Sequence, residues 1–256
     1  MMDKELIRER FAGAISTYDR AAVAQRNIAE RLAEAMEAYA PKGGTVFEAG
    51  CGTGIMSRLI MERLHPERLY MVDLSESYRD SLSDLDPKRA VFCACDAEET
   101  ALPQGLSAVV SSSAMQWFER PDRFLARSAD ALAEGGVLAI ATYGVENMRE
   151  IGSLSGVRLN YPTCESLRRM IPPSLRVEHF SEQLITLAFG SAREVLRHLR
   201  QTGVSGIERP MGVTATRRLI ADYDARYSDG KGGVTLTYHP IYIVARKHSI
   251  ISDSVG

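Results

Sequence analysis

Val46-Phe47-Glu48-Ala49-Gly50-Cys51-Gly52-Thr53-Gly54-Ile55-Met56 constrains the fold of this chain more than any other stretch. Thr45 to Phe47 is β-rich, an acid follows, three glycines stand at alternate positions, and Ile55, Leu59, Ile60 and Leu64 then keep helical spacing. That reads as strand, tight turn and helix. A backbone that turns so sharply while a ligand lies against it has no room for Cβ, so the turn is a ligand seat. A pyrophosphate seat would read G-x-G-x-x-G, but the frame here is Gly50-x-Gly52-x-Gly54, with Ser57 three positions after Gly54. Glu48 decides more than the glycine count, because a carboxylate at the strand end repels a pyrophosphate and attracts a cationic ligand.

A chain of 256 residues can be one enlarged domain or a core with an insertion. Its net charge of −2 gives no bias towards polyanions. No basic stripe with interleaved aromatics is visible, so nucleic acid is not an expected partner. Neither a leader pattern nor an apolar run of membrane length is present, and the expectation is a soluble protein with no membrane partner. Cys51, Cys93, Cys95 and Cys164 have neither metal-ligand spacing nor the pattern of a disulfide framework, so a reducing cytoplasm and no metal are expected.

Residues 3 to 39 read as helices, with a break at Ser16-Thr17-Tyr18-Asp19 where capping residues gather. Pro41 and Gly43-Gly44 end that segment. From Thr45, strands near 45–49, 68–73, 90–95, 107–113 and 136–143 alternate with helices near 54–64, 76–84 and 121–134. Such alternation predicts an α/β fold: a Rossmann-like, mostly parallel sheet covered by helices on both faces. Beyond Tyr143, helices near 145–154, 164–171, 191–202 and 215–227 surround a long strand from Leu175 to Phe189, and Val234 to Arg246 closes the pattern as a strand. The organisation expected is an N-terminal helical lid (1–42) and a ligand-binding core (43–144). A helical cap (145–233) interrupted by core strand 175–189, a final core strand (234–247) and a disordered tail (248–256) complete it.

Ligands in parallel sheets bind at the carboxyl ends of the strands. Asp73 ends the second strand 25 residues after Glu48, where a carboxylate can accept from both hydroxyls of a ribose. Asp96 ends the third, and Ser111-Ser112-Ser113 ends the fourth, leading into Ala114-Met115-Gln116-Trp117 with the single tryptophan of the chain. Arg193, Arg197 and Arg200 fall on one face of a predicted helix. Arg149 stands close enough after strand five to point into a pocket.

The E-x-G-x-G-x-G arrangement from Glu48 to Gly54, with Asp73 and Asp96, resembles the class I S-adenosylmethionine-dependent methyltransferases, whose ligand carries an ammonium and a sulfonium but no phosphate. That likeness implies a seven-stranded sheet and cofactor contacts from Glu48, Gly50, Gly52, Gly54, Asp73, Leu74, Asp96, Ala97 and Ser112. A narrower resemblance covers nearly the whole chain. Arg10-Phe11 with Ala14, Tyr18-Asp19 and Gln25, Ser113-Ala114-Met115-Gln116-Trp117, the passage from Thr142-Tyr143-Gly144 to Arg149-Glu150, Leu196-Arg197-His198-Leu199 with Thr202-Gly203, and Thr237-Tyr238-His239-Pro240-Ile241-Tyr242 are similar to the malonyl-acyl-carrier-protein O-methyltransferases of biotin synthesis. Members of that family methylate the free carboxylate of a malonyl thioester. Gln116-Trp117 also resembles the trans-aconitate methyltransferases, while Ser112 and Met115 stand where related enzymes often have Asn and Leu.

The resemblance implies S-adenosylmethionine as cofactor, S-adenosylhomocysteine as product, and an acidic acyl carrier protein or malonyl-coenzyme A as the bearer of the acceptor. Because a carboxylate is ionised at neutral pH, displacement at a sulfonium methyl needs alignment and no general base. The catalytic candidates are Arg149 to grip the carboxylate, with Tyr18 and Gln116 to orient it. Phe11, Trp117 and Tyr143 are expected against the substrate, and Arg193, Arg197 and Arg200 at the carrier protein. Loss of the Arg149 grip would raise KM by about tenfold or more. The rival readings are a methyltransferase for another carboxylate or for a quinone-type carbon, and a module that binds S-adenosylmethionine without transferring its methyl.

Overall fold

Thr45–Ala49 forms the first strand, β1, whose residues after Thr45 are all buried. Its neighbours explain that burial. It pairs in parallel with β2 (Arg68–Asp73) on one side and with β4 (Leu106–Ser112) on the other. In the computed structural model, which describes residues 3–156, 160–204 and 212–248, a seven-stranded sheet runs β3-β2-β1-β4-β5-β9-β6. Here β3 is Ala90–Ala94, β5 Leu132–Tyr143, β6 Leu175–Glu182 and β9 Pro240–Lys247. Only β9 runs against its neighbours, β5 and β6. The expected α/β architecture is the one observed.

One sheet face is covered by α2 (Val23–Glu37) and α3 (Ile55–Leu64), which contribute Ile28, Leu32, Met36, Ile60 and Leu64 to the core. The other is covered by α4 (Pro121–Ala131) and α6 (Cys164–Met170), through Phe124, Leu125 and Leu167. The predicted helix near 76–84 is a 3-10 stretch, Glu76–Leu82, capped by Ser75, whose hydroxyl accepts from the Ser77 amide.

Three expectations are corrected. The N-terminal helix does not break at Ser16–Asp19: α1 runs from Lys4 to Ala21, and the chain turns at Ala22. The Thr17 hydroxyl donates to the carbonyls of Ala14 and Gln201 instead of capping a helix, and Asp19 is used elsewhere. The long strand 175–189 is two strands, interrupted at Gln183-Leu184, and β7 (Ile185–Phe189) leaves the main sheet. The final strand divides at the same level, so that β8 (Val234–Tyr238) pairs with β7 in a separate ribbon while β9 stays in the core. Pro240 explains the division, since it brings no N–H to the ladder and is tolerated at the first residue of a strand.

The ribbon and the helices α5 (Arg149–Ser155), α7 (Ala192–Gln201) and α8 (Val213–Arg226) lie together, with α5 and α7 each packed on α8 and α1 packed on α7. Residues 145–148, expected as helix, form the turn before α5. Residues 249–256 of the expected tail lie outside the described residues.

Candidate active site

The glycine turn opens into a chamber of about 920 Å3 at the carboxyl ends of β1 to β4. Gly50 has φ +76°, and a Cβ there would lie 2.2 Å from the Ala114 Cβ, so the turn is pressed directly against the end of β4. Gly52, at φ +50°, has nothing within 4 Å of where its Cβ would be, which leaves its backbone open to the chamber. Gly54 differs: it does not line the chamber, and a Cβ on it would strike Leu82 and Arg58. Its place is structural, as the left-handed residue that starts α3.

Glu48, Asp73 and Asp96 all line this chamber, as do Gly50, Gly52, Leu74, Ala97 and Ser112. The Glu48 carboxylate accepts from the Ser57 hydroxyl at 2.6 Å. Burial raises its pKa to about 7; the Ser57 bond opposes that rise and the nearby Asp73 charge adds to it. Asp73 accepts from the Gly52 amide at 2.9 Å, and burial raises its pKa against the bonds from the backbone of Gly52, Ser75 and Leu74. The chamber therefore offers a buried carboxylate in Glu48, a half-buried one in Asp73, a glycine cradle with no side chain in the way, and a third acid in Asp96. This donor set fits a ligand that is cationic at one end and a nucleoside at the other, as S-adenosylmethionine is.

Helix α1 forms the roof, with Lys4, Ile7, Phe11 and Tyr18 facing the chamber. It is held at both ends. The Lys4 ammonium donates to Asp96 at 2.6 Å and to Glu98 at 2.5 Å, and the Thr53 hydroxyl of the glycine turn donates to Asp19 at 2.6 Å. Burial beside Asp73 and Asp19 lifts the Tyr18 phenol above its ordinary range, so it stays protonated. Lys4 carried no sequence signal, because its partners lie 92 and 94 residues away.

A second chamber, about 200 Å3, adjoins the first and shares Gln25 and Trp117 with it. Gln116, Tyr143, Asn147, Tyr161 and Tyr238 provide its polar walls. Gln116 and Tyr143 are thus brought together here, away from the first chamber. Both are tied to Ser113: the Gln116 amide donates to the Ser113 carbonyl at 2.6 Å and the Tyr143 hydroxyl to the Ser113 hydroxyl at 3.0 Å. Ser113 lies between the chambers in a left-handed conformation, φ +58°, a strained state for a residue with a Cβ. The Phe11 ring meets the Trp117 ring edge to face at 5.6 Å.

The structure does not bring Arg149, the expected carboxylate grip, to either chamber. Its side chain is 48 % exposed and pairs with Glu146 at 3.3 Å and Glu150 at 3.8 Å on its own turn. Left-handed Met148 is the residue that begins α5. Asn147, Tyr161 and Tyr238 were not among the expected site residues. Asn147 and Tyr238 lie within segments that carried the resemblance, whereas Tyr161 follows no pattern. Arg193, Arg197 and Arg200 are exposed on α7, opposite the buried Ala192, Val195 and Leu199.

The described residues contain no helix long and apolar enough to cross a membrane and no group of three or more metal-ligating side chains. Residues 47–140 match a family described as a methyltransferase domain. The YcgJ protein of Bacillus subtilis has a similar fold, with a TM-score of 0.63 at 11 % identity over 86 % of this chain and 99 % of that one. A malonyl-[acyl-carrier protein] O-methyltransferase of Bacteroides fragilis is 39 % identical over 95 % of this chain, which spans only 50 % of that relative's length. The enzyme of the same name from Bacteroides thetaiotaomicron is 38 % identical over 97 % of this chain and 100 % of its own. With that end-to-end match joined to a methyltransferase core, the chain belongs to the malonyl-[acyl-carrier protein] O-methyltransferase family.

Proposed function

We propose that this protein methylates the free carboxylate of a malonyl thioester, carried on an acyl carrier protein or on coenzyme A, in the route to biotin. The observation that carries this reading is the pair of adjoining chambers, an acid-lined one built on the glycine turn and an uncharged polar one beyond Trp117.

S-adenosylmethionine, when bound, supplies an electrophilic methyl group on a sulfonium. The chain would hold its cationic part through Glu48 and the open backbone at Gly50 and Gly52, its ribose through Asp73, and its base beside Asp96 and Ala97. Leu74 and Ser112 complete that wall. Tyr18 and Phe11 close the roof and exclude water. In the second chamber the phenols stay protonated: burial raises Tyr161 to about 12 and lifts Tyr143 and Tyr238 as well. They can donate hydrogen bonds but cannot act as phenolate bases, which suits an acceptor that arrives ionised. Gln116 and Tyr143, fixed on Ser113, shape the chamber around it. Once the ester forms, the charge that strengthened those bonds is gone, and release is favoured.

Arg193, Arg197 and Arg200 would receive an acidic carrier protein. Their exposure supports this, and so does the position of the helix: Val204, just beyond its C-terminal end, lines the acceptor chamber. The test is transfer of label from methyl-labelled S-adenosylmethionine to malonyl-carrier protein, malonyl-coenzyme A, free malonate and aconitate, scored as base-labile methyl ester. Label on the malonyl thioesters alone is expected; label on aconitate alone would reject the malonyl assignment.

A further inference from the structure

Malonate is an anion, yet among the described residues no free cation lines either chamber. Among the described residues no arginine lines either chamber, and the one ammonium present, Lys4, is already bonded to Asp96 and Glu98. The group that does lack a partner is Nε1 of Trp117, a residue that lines both chambers; the atom itself is sealed from solvent, so a ligand reaches it only as the ring shifts. A buried donor left unpaired costs about 1–3 kcal/mol, which is recovered when a ligand accepts from it. Two carbonyl oxygens nearby, Gln25 Oε1 and Gln116 Oε1, are also sealed and unpaired. As acceptors they repel a carboxylate, so the indole is the unpaired group that can receive one.

Resting on the reading of this site as a carboxyl methyltransferase, we propose that the Trp117 indole N–H holds one oxygen of the acceptor carboxylate and leaves the other free to attack. The chemistry favours a neutral donor. A guanidinium fork engages both carboxylate oxygens and takes up their charge, which would blunt the nucleophile. A single N–H positions the anion and leaves a full lone pair on the other oxygen. Tyr161 supports the arrangement from the same chamber: its oxygen accepts from Asn147 at 2.8 Å, and its own proton has no acceptor among the described residues. Trp117 also explains how the site manages without Arg149. Specificity for an acid then comes from a hydrogen bond that the uncharged ester makes only weakly.

The chain contains one tryptophan, so its indole N–H gives one resonance in a proton–nitrogen correlation spectrum. Labelled protein saturated with S-adenosylhomocysteine is titrated with malonyl-coenzyme A and, separately, with its methyl ester. The indole proton is expected to move downfield with the acid and to move much less with the ester. Trp117→Phe should weaken malonyl-coenzyme A by about tenfold or more while changing ester and S-adenosylhomocysteine affinity by less than about twofold. Equal shifts with acid and ester, no shift with either, or equal weakening of both in Trp117→Phe would overturn the proposal and leave Trp117 as a wall. The two readings fail separately. A wild type that shows the acid-specific shift but forms no ester would keep the grip and reject the function, and a wild type that forms ester with an unmoved indole would do the reverse.

Discussion

The two chambers are built on opposite electrostatic plans, although each is proposed to receive a charged ligand. The donor side sets Glu48, Asp73 and Asp96 around a space of about 920 Å3, whereas the acceptor side surrounds about 200 Å3 with amides, phenols and an indole. The difference is instructive because the two ligands have different duties. The donor must be held tightly and is not consumed at its charged ammonium, so full charges are useful there. The acceptor's charge is its reactive lone pair, and a counter-ion would hold it in the ground state without helping the transition state.

The largest effect should come from the glycine cradle. Gly50→Ala forces a Cβ into Ala114 at a positive φ, and a loss of about 3 kcal/mol, roughly 100-fold in S-adenosylhomocysteine affinity, is expected by calorimetry. An unchanged affinity would move the donor out of this chamber. A smaller effect should separate the carrier from its cargo: Arg197→Glu with Arg200→Glu should lower kcat/KM for malonyl-carrier protein by about tenfold at low salt and less at high salt, and spare malonyl-coenzyme A. Equal damage to both substrates would place the docking surface elsewhere.

Glu48 makes the donor side pH-dependent. With a pKa of about 7, its ionised fraction rises roughly tenfold between pH 6 and 8, and affinity for the cationic donor should rise by up to about that factor. Glu48→Gln should flatten the profile. The stability of the ligand-free protein should run the other way. Because the folded pKa lies above the ordinary 4.5, the contribution of this group is full below that value and is lost as pH climbs through about 7. The smallest effect is expected at Arg149. Exposed and paired with its neighbours, it should tolerate Arg149→Ala with less than about a twofold change in KM for the malonyl thioester. A tenfold rise would return a cation to the acceptor chamber and break the contrast.

The donor side was legible because its chemistry is local. Glu48, Gly50 and Gly52 lie within one turn, and Asp73 and Asp96 close the next two strands, so the rule that parallel sheets bind at their carboxyl ends was enough to gather them. The acceptor side was not. Gln25, Gln116, Tyr161 and Tyr238 come from a helix, a 3-10 turn, a loop and a ribbon, and no spacing in the chain links them. Arg149 shows the same limit from the other direction: nearness to strand five suggested a pocket residue, but its side chain is half exposed and paired with Glu146 and Glu150 on its own turn.

The sequence by itself determined the alternating layers, the glycine turn and the acids at the strand ends, since these follow from hydrophobic period and backbone sterics over a few residues. Tertiary structure alone decided where the last two long strands part, which lysine closes the roof, and that no arginine among the described residues lines either chamber. Each of those depends on residues far apart in the chain meeting in space. The strand division at Pro240, the reach of Lys4 to Asp96 and the isolation of the Trp117 N–H exist only once the cap and α1 have closed over the sheet.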